Sequence, residues 1–352
     1  MSEKKWMIYG AYGYSGELIA REAVRQGLSP ILAGRNEAKL AALANELQLP
    51  FQAFSLDDAA ALHSNLAEMT LVLHCAGPFS ATSAPMIEAC LQTKTHYLDI
   101  TGEIAVFEHA HAQNERAKQA GVILCPGVGF DVIPTDCLAQ TLKNALPDAT
   151  HLALGFDSRS SMSAGTAKTS VEGLKMGGRI RRDGKIVRVP LAYQTRRINF
   201  GKREKLAVSI PWGDVSTAFY STGIPNIEVY VPISPKAVRG MKLLRIFQPF
   251  LGLTPVQNFL KKRIDKKVAG PSAAEREKAV TYVWGEVRNA GGERKTGRIQ
   301  TANGYQVTIF GSLEIAKKLL NGVTQRGSLT PSQLMGSDFV SELPGSGEMV
   351  IA

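Results

Sequence analysis

The chain has 352 residues, 44% hydrophobic and 20% charged, which is ordinary globular composition with room for two domains and a real core. Its net charge of +10 is unevenly divided: residues 1–147 hold 10 Lys and Arg against 15 Asp and Glu, and residues 148–352 hold 31 against 16. No apolar run reaches the roughly 18 residues needed to cross a bilayer, and the stretch before Gly10 is too short for a secretory signal.

Trp6 to Tyr9 reads as a first strand, followed by the turn Gly10-Ala11-Tyr12-Gly13-Tyr14-Ser15-Gly16 and a helix from Glu17. Strand, glycine turn and helix form the context of a dinucleotide fingerprint, here spaced GxxGxxG. Gly10 lets the chain leave the strand sharply, Gly13 lets backbone approach a pyrophosphate, and Gly16 lets the helix pack closely. The helix N-terminus then offers its unpaired N–H groups to phosphate.

The second strand, Pro30 to Ala33, ends in Gly34-Arg35-Asn36, 19 residues beyond Gly16, where an NAD enzyme places an acid for the ribose 2′-hydroxyl. Arg35, with Lys39 one turn along the next helix, suits a 2′-phosphate instead, so the expected cofactor is NADP. Further strands are expected at Phe51–Phe54, Thr70–Cys75, His96–Ile100 and Gly121–Cys125, alternating with helices, the last of which runs to Ala120. This alternation predicts a parallel, doubly wound sheet. Gly10–Gly16, Arg35, Ala76-Gly77-Pro78-Phe79, Asp99–Glu103 (with Thr101 and Gly102) and Pro126–Asp131 all fall at its carboxyl edge, where ligands bind. The helix after Pro134 carries Cys137 on an apolar stripe, as a core residue.

From Thr150 the pattern changes to a strand at His151–Phe156, a helix at Gly165–Met176 and a hairpin at Arg179–Arg188 with an Asp-Gly turn. Strands at Leu206–Ile210 and Ile227–Val231 follow, then a hairpin of Lys278–Arg288 and Arg294–Ala302, and a last helix at Val307–Leu320. Hairpins in succession predict a second, mainly antiparallel α+β domain. Residues 236–267 stand apart, with nine basic residues and one acid, Asp265, among leucines and phenylalanines. Such a segment lies on a membrane surface, docks a partner or packs as a helical edge on its own domain; Pro249 and Gly252 prevent one continuous helix.

The motifs Gly10–Gly16, Ala33-Gly34-Arg35, Ala76–Phe79, Tyr97–Glu103 and Pro126–Asp131 together resemble the saccharopine dehydrogenase-like oxidoreductases, on the branch containing trans-acting enoyl reductases. The resemblance covers about the first 136 residues, with a carboxyl-terminal echo at Gly327–Pro331. It implies an NADP-binding Rossmann domain, a mixed second domain and a homodimer. The GxxGxxG spacing departs from the GxGxxG turn of saccharopine reductases, which weighs against an amino-acid substrate.

The resulting expectation has three parts: an NADP-binding Rossmann domain at 1–147, a substrate or lid domain at 148–302, and a helix and tail at 303–352 returning to the first domain. Cofactor contacts are assigned to Gly10, Tyr12, Gly13, Tyr14, Ser15, Gly16, Arg35, Asn36, Lys39, Ala76, Gly77, Pro78, Phe79, Thr101 and Gly102. Tyr97, Asp99, Asp131 and, on the first helix of the second domain, Lys168 are the candidate proton donors or substrate ligands. No YxxxK, GxSxG, P-loop or metal-ligand spacing is present. Cys75, Cys90, Cys125 and Cys137 form no CxxC pair, as in a cytoplasmic protein with reduced thiols. The expected activity is NADPH-dependent hydride transfer to a C=C or C=N bond of an anionic or carrier-linked substrate, without nucleic acid as a partner. A non-catalytic NADP-binding sensor and a lipid- or membrane-associated protein are the alternatives.

Overall fold

The computed structural model describes residues 4–158, 171, 173, 177–251, 253–267 and 272–352. In chain order the first stretch comprises β1 (Trp6–Tyr9), α1 (Tyr14–Arg25), β2 (Ile31–Gly34), α2 (Glu37–Leu47), β3 (Phe51–Ala53), α3 (Ala59–Leu66) and β4 (Leu71–His74). It continues with α4 (Phe79–Thr93), β5 (His96–Asp99), α5 (Ile104–Ala112), α6 (Asn114–Ala120), β6 (Ile123–Cys125) and α7 (Ile133–Ala145). Next come β7 (His151–Ser158), β8 (Gly178–Arg182), β9 (Lys185–Val189), β10 (Thr195–Asn199), β11 (Glu204–Ile210), α8 (Asp214–Thr222) and β12 (Asn226–Pro232). Then follow α9 (Pro235–Leu251), α10 (Thr254–Lys267), α11 (Ala273–Lys278), β13 (Val280–Arg288), β14 (Arg294–Ala302) and α12 (Gly304–Asn321). The chain closes with β15 (Gly327–Ser328), α13 (Pro331–Met335), α14 (Phe339–Glu342) and β16 (Val350–Ile351).

These elements form two compact units, residues 1–133 with 305–336, and residues 134–304 with 337–352. In the first, seven parallel strands run in the order β15-β6-β5-β4-β1-β2-β3. Every residue of β1 and β4 is buried, because a central parallel strand is covered by helices on both faces and must be apolar throughout. On α1, Ile19, Ala20 and Ala23 face the sheet, while Glu17 and Arg21 pair on the outer side, 2.8 Å apart. The helix expected to run unbroken to Ala120 is two, α5 and α6, parted at Gln113.

In the second unit the main strand path is β10-β11-β12-β7-β13-β14-β16, with β8 paired to β12 and β9. Among the described residues only β12 and β7 run parallel; the other pairs are antiparallel. The β8–β9 turn has φ of 48° at Asp183 and 76° at Gly184, the two positive values a tight hairpin turn requires. β10 and α8 were not legible as elements: Thr195–Asn199 alternates charged and polar residues around one Ile, and Asp214–Thr222 is rich in β-branched and hydroxyl side chains. The expected helix at 165–176 lies, apart from 171 and 173, outside the described residues.

The division falls at 133/134 and not at 147, so α7 goes with the second unit. The reason is a pair of facing glycines, Gly285 on β13 and Gly297 on β14. A Cβ on either would come within 2.6–2.7 Å of Leu142 or Leu138 of α7, so their bare backbone is the seat into which that helix packs. The tail also divides: 305–336 joins the first unit, whereas β16 pairs with β14 in the second.

Candidate functional site

The strand order of the first unit puts β1 beside β4, and chain connections run outward in opposite senses from that pair. A crevice opens at such a switch point, at the carboxyl ends of the strands. Gly10 and Ala76 are its two lips. Gly10 has φ of +85°, and a Cβ on it would lie 2.8 Å from the Ala76 nitrogen. Gly16 is held still more tightly, for its Cβ would come 2.3 Å from the Gly10 carbonyl oxygen. This close approach brings the first turn of α1 against the strand end. α2 and α3 are capped by the Asn36 and Asp58 side chains, but α1 begins at Gly13 without a side-chain cap. Its amino end is therefore not closed by a side chain, as pyrophosphate binding requires.

On the β2 side, the Tyr12 ring lies over Gly34, where a Cβ would meet it at 2.7 Å. The Lys39 ammonium stands 5.8 Å from the same ring centroid, and Arg35 is exposed at the strand end. Asn36 uses its side-chain oxygen to accept from the Lys39 backbone N–H at 2.9 Å, so it caps α2. Arg21 is engaged elsewhere: it joins Glu17 on α1 to Glu46 on α2, and the three border a groove of 270 Å³ with Tyr12 and Lys39. The Arg35 charge reaches the buried Tyr9 hydroxyl, which donates to the Phe54 carbonyl at 3.1 Å and is pushed by burial to about 12. A glycine cradle, an uncapped helix and two cations beyond β2 fit a dinucleotide carrying an extra phosphate.

At the opposite side, three loops are tied together by acids. The Asp99 carboxylate accepts from the Tyr97 hydroxyl at 2.6 Å and from the Thr101 and Gly127 N–H groups at 2.9 Å, and the Val128 N–H donates to the Asp99 carbonyl at 2.7 Å. Burial lifts Asp99 to about 6 against those three stabilising bonds. Glu103 accepts from the Phe79 and Ser80 N–H groups, both at 2.9 Å, and so caps α4 from the neighbouring loop. Thr82 donates to the Ala76 carbonyl at 2.7 Å while lying 2.9 Å from Nε2 of His74. Burial holds His74 down to about 3, hence neutral.

Two of the sequence-assigned residues take structural places here. Tyr97 and Asp99 are fully buried and bonded to each other, and their bonds hold the neighbouring loops. Burial and the Asp99 charge keep the Tyr97 hydroxyl far above its ordinary value, which removes it as an acid. Asp131 differs. It is half-buried, its Oδ2 lies 2.8 Å from where a Gly102 Cβ would stand, and desolvation lifts it to about 7. Lys168 lies outside the described residues. Thr82, His74 and Thr308, whose hydroxyl accepts from the Phe130 N–H at 3.0 Å, were missed; Thr82 and His74 meet only once the chain turns from β4 into α4, and the partner of Thr308 lies 178 residues away in sequence.

Residues 6–125 match the saccharopine dehydrogenase NADP binding domain. Among named relatives, a probable mitochondrial saccharopine dehydrogenase-like oxidoreductase of Arabidopsis thaliana is 29% identical over 48% of this chain and 42% of its own length. A trans-acting enoyl reductase of Mycobacterium bovis is 26% identical over 54% of this chain and 49% of its own. A lipid droplet localized protein of Caenorhabditis elegans is 26% identical over 72% and 66% respectively. The match thus spans less than half the length of the first two relatives. The fold is that of apo saccharopine dehydrogenase (L-Glu forming) from Saccharomyces cerevisiae, with a TM-score of 0.68 over 99% of this chain and 100% of that one at 11% identity. Over its NADP-binding domain, built on the glycine cradle described above, the chain is thus similar to the saccharopine dehydrogenase-like oxidoreductases.

Proposed function

We propose that the protein is an NADPH-dependent oxidoreductase acting on a C=C or C=N bond of a small anionic or carrier-linked substrate. The observation that carries this reading is the cradle at the β1–β4 switch point, open at α1 and followed by Arg35 and Lys39. NADPH, when bound, supplies hydride. Gly10, Gly13 and the first turn of α1 hold its pyrophosphate, and Arg35 and Lys39 grip its 2′-phosphate beside Tyr12. The loops clamped by Asp99 and Glu103 hold Ala76–Phe79 and Thr101-Gly102 at the nicotinamide end. Asp131 keeps a proton near neutrality, which suits a donor to the reduced substrate. The enoyl reductase among the relatives supports the C=C choice, and the basic second half suits an anionic substrate.

A cytoplasmic location, a homodimer and a peripheral membrane contact through 236–267 complete the proposal; four cysteines, none of them in a disulfide, are compatible with a reducing compartment. The deciding experiment follows NADPH consumption with enoyl thioesters, cyclic imines and crude metabolite pools. Turnover with an enoyl thioester or an imine is expected. Tight NADPH binding without turnover on any of them would favour the non-catalytic sensor.

A further inference from the structure

The surface of α9 and α10 is not used by the nucleotide site. One side of each helix is anchored. Val238 is buried, the Arg245 guanidinium donates to the Leu191 and Ala192 carbonyls at 2.7 and 2.8 Å, and buried Gln257 donates to the Val171 carbonyl at 3.1 Å. Away from these anchors, Leu243 is 63% and Leu244 38% exposed on α9, Leu253 51% just ahead of α10, and Phe259 59% on α10. Among the described residues these four are half of the large apolar side chains left exposed, gathered within one short stretch. Around them Lys236, Arg239, Lys242, Lys262 and Arg263 are exposed, with the Arg263 guanidinium 5.6 Å from the Phe259 ring centroid.

We propose that this face docks on the surface of an anionic lipid bilayer. Exposed leucine and phenylalanine enter the headgroup boundary while the flanking lysines and arginines meet lipid phosphates and carboxylates. Among the described residues no helix is long and apolar enough to cross a membrane, so the contact is interfacial. Charge selects this occupant over a second copy. Residues 236–267 hold nine basic residues against the single acid Asp265, and two such faces would repel. The proposal does not depend on the reductase reading, since none of these side chains belongs to the nucleotide site.

The test is co-sedimentation of the full chain with phosphatidylcholine vesicles, with and without phosphatidylserine, at low and high salt. Wild type is expected to sediment with the anionic vesicles only, and salt should weaken it. A basic side chain near an anionic leaflet is worth about fivefold in partitioning, so Lys242→Glu with Lys262→Glu and Arg263→Glu should lower it by at least about a hundredfold. Leu243→Ser with Phe259→Ser should lower it about tenfold or more. Both variants alter exposed positions, so NADPH affinity and Tm are expected to stay at wild-type values, which keeps folding failure distinguishable. Absent sedimentation of folded wild type, or variants that sediment as wild type does, overturns the proposal. So does a dimer in analytical ultracentrifugation that the serine variant dissociates, which assigns the face to a second copy. Retention on immobilised polyglutamate without vesicle binding assigns it to an acidic protein instead.

Discussion

At the scale of single residues, charge placement makes the sharpest claims. Arg35 stands exposed at the end of β2, where a carboxylate would serve a free ribose and a guanidinium serves a phosphorylated one. Arg35→Asp is therefore expected to weaken NADPH binding by about tenfold to a hundredfold, the loss of a charge-assisted pair plus new repulsion, while NADH binding changes little. Fluorescence titration with both nucleotides checks this, and equal loss for the two would remove the 2′-phosphate assignment. Asp131 makes a different claim. Its folded carboxyl is lifted to about 7 from an ordinary 3.8, so the native state holds a proton that the unfolded chain has released. Stability then falls as pH rises from about 4 to 7, by a few kcal/mol at most at about 1.4 kcal/mol per unit. Asp131→Asn should flatten that part of the curve, measured by chemical denaturation across the window. Asp99 is raised in the same direction and remains in both proteins, so the difference between the curves reports Asp131.

At the scale of elements, helix starts decide the site. α1 can reach the strand end only because residue 16 has no side chain. Gly16→Ala drives a methyl against the Gly10 carbonyl, and backbone cannot yield as a side-chain tip does. A stability loss of about 1–3 kcal/mol and abolished NADPH binding are expected, by urea unfolding and titration. α4 is started from outside by Glu103, whose carboxylate takes two N–H groups of its first turn. Glu103→Ala should cost about 1–3 kcal/mol and loosen the Ala76–Phe79 loop, seen as faster amide exchange there. A variant with unchanged exchange at 76–82 would show that the loop is held by Thr82 alone. The Gly16 role was readable from the glycine spacing, but the Glu103 cap was not, since Glu103 lies 24 residues from the first residue of the helix it caps.

At the scale of the whole molecule, the two units should respond unequally to nucleotide. A ligand at about 100 times its Kd stabilises the state it binds by about 2.7 kcal/mol. Hydrogen exchange with saturating NADPH is expected to show added protection at 10–16, 34–39 and 76–79, with little change in β13 and β14. Equal gains in β13 and β14 would place the nucleotide elsewhere. The charge asymmetry belongs to this scale too: the acidic first half carries the nucleotide cradle and the basic second half carries α9 and α10.

What was readable from the chain alone was whatever repeats locally. Buried strands such as Trp6–Tyr9 are apolar runs, helices follow them with a recurring apolar face, and the glycine spacing and Arg35 sit at fixed offsets from the strands that present them. The doubly wound sheet, the hairpins at β8–β9 and β13–β14 and the likeness of residues 6–125 to an NADP-binding domain were legible for that reason. What depended on the fold was whatever pairs residues far apart in sequence. Asp99 and Tyr97 looked like reactants because a carboxylate and a phenol at a strand end have the right chemistry. Folding turns both inward, and the N–H groups of Thr101 and Gly127 occupy the carboxylate. Gly285 facing Gly297 carries α7 into the second unit for the same reason: side-chain roles follow from neighbours, and neighbours are set by the tertiary fold.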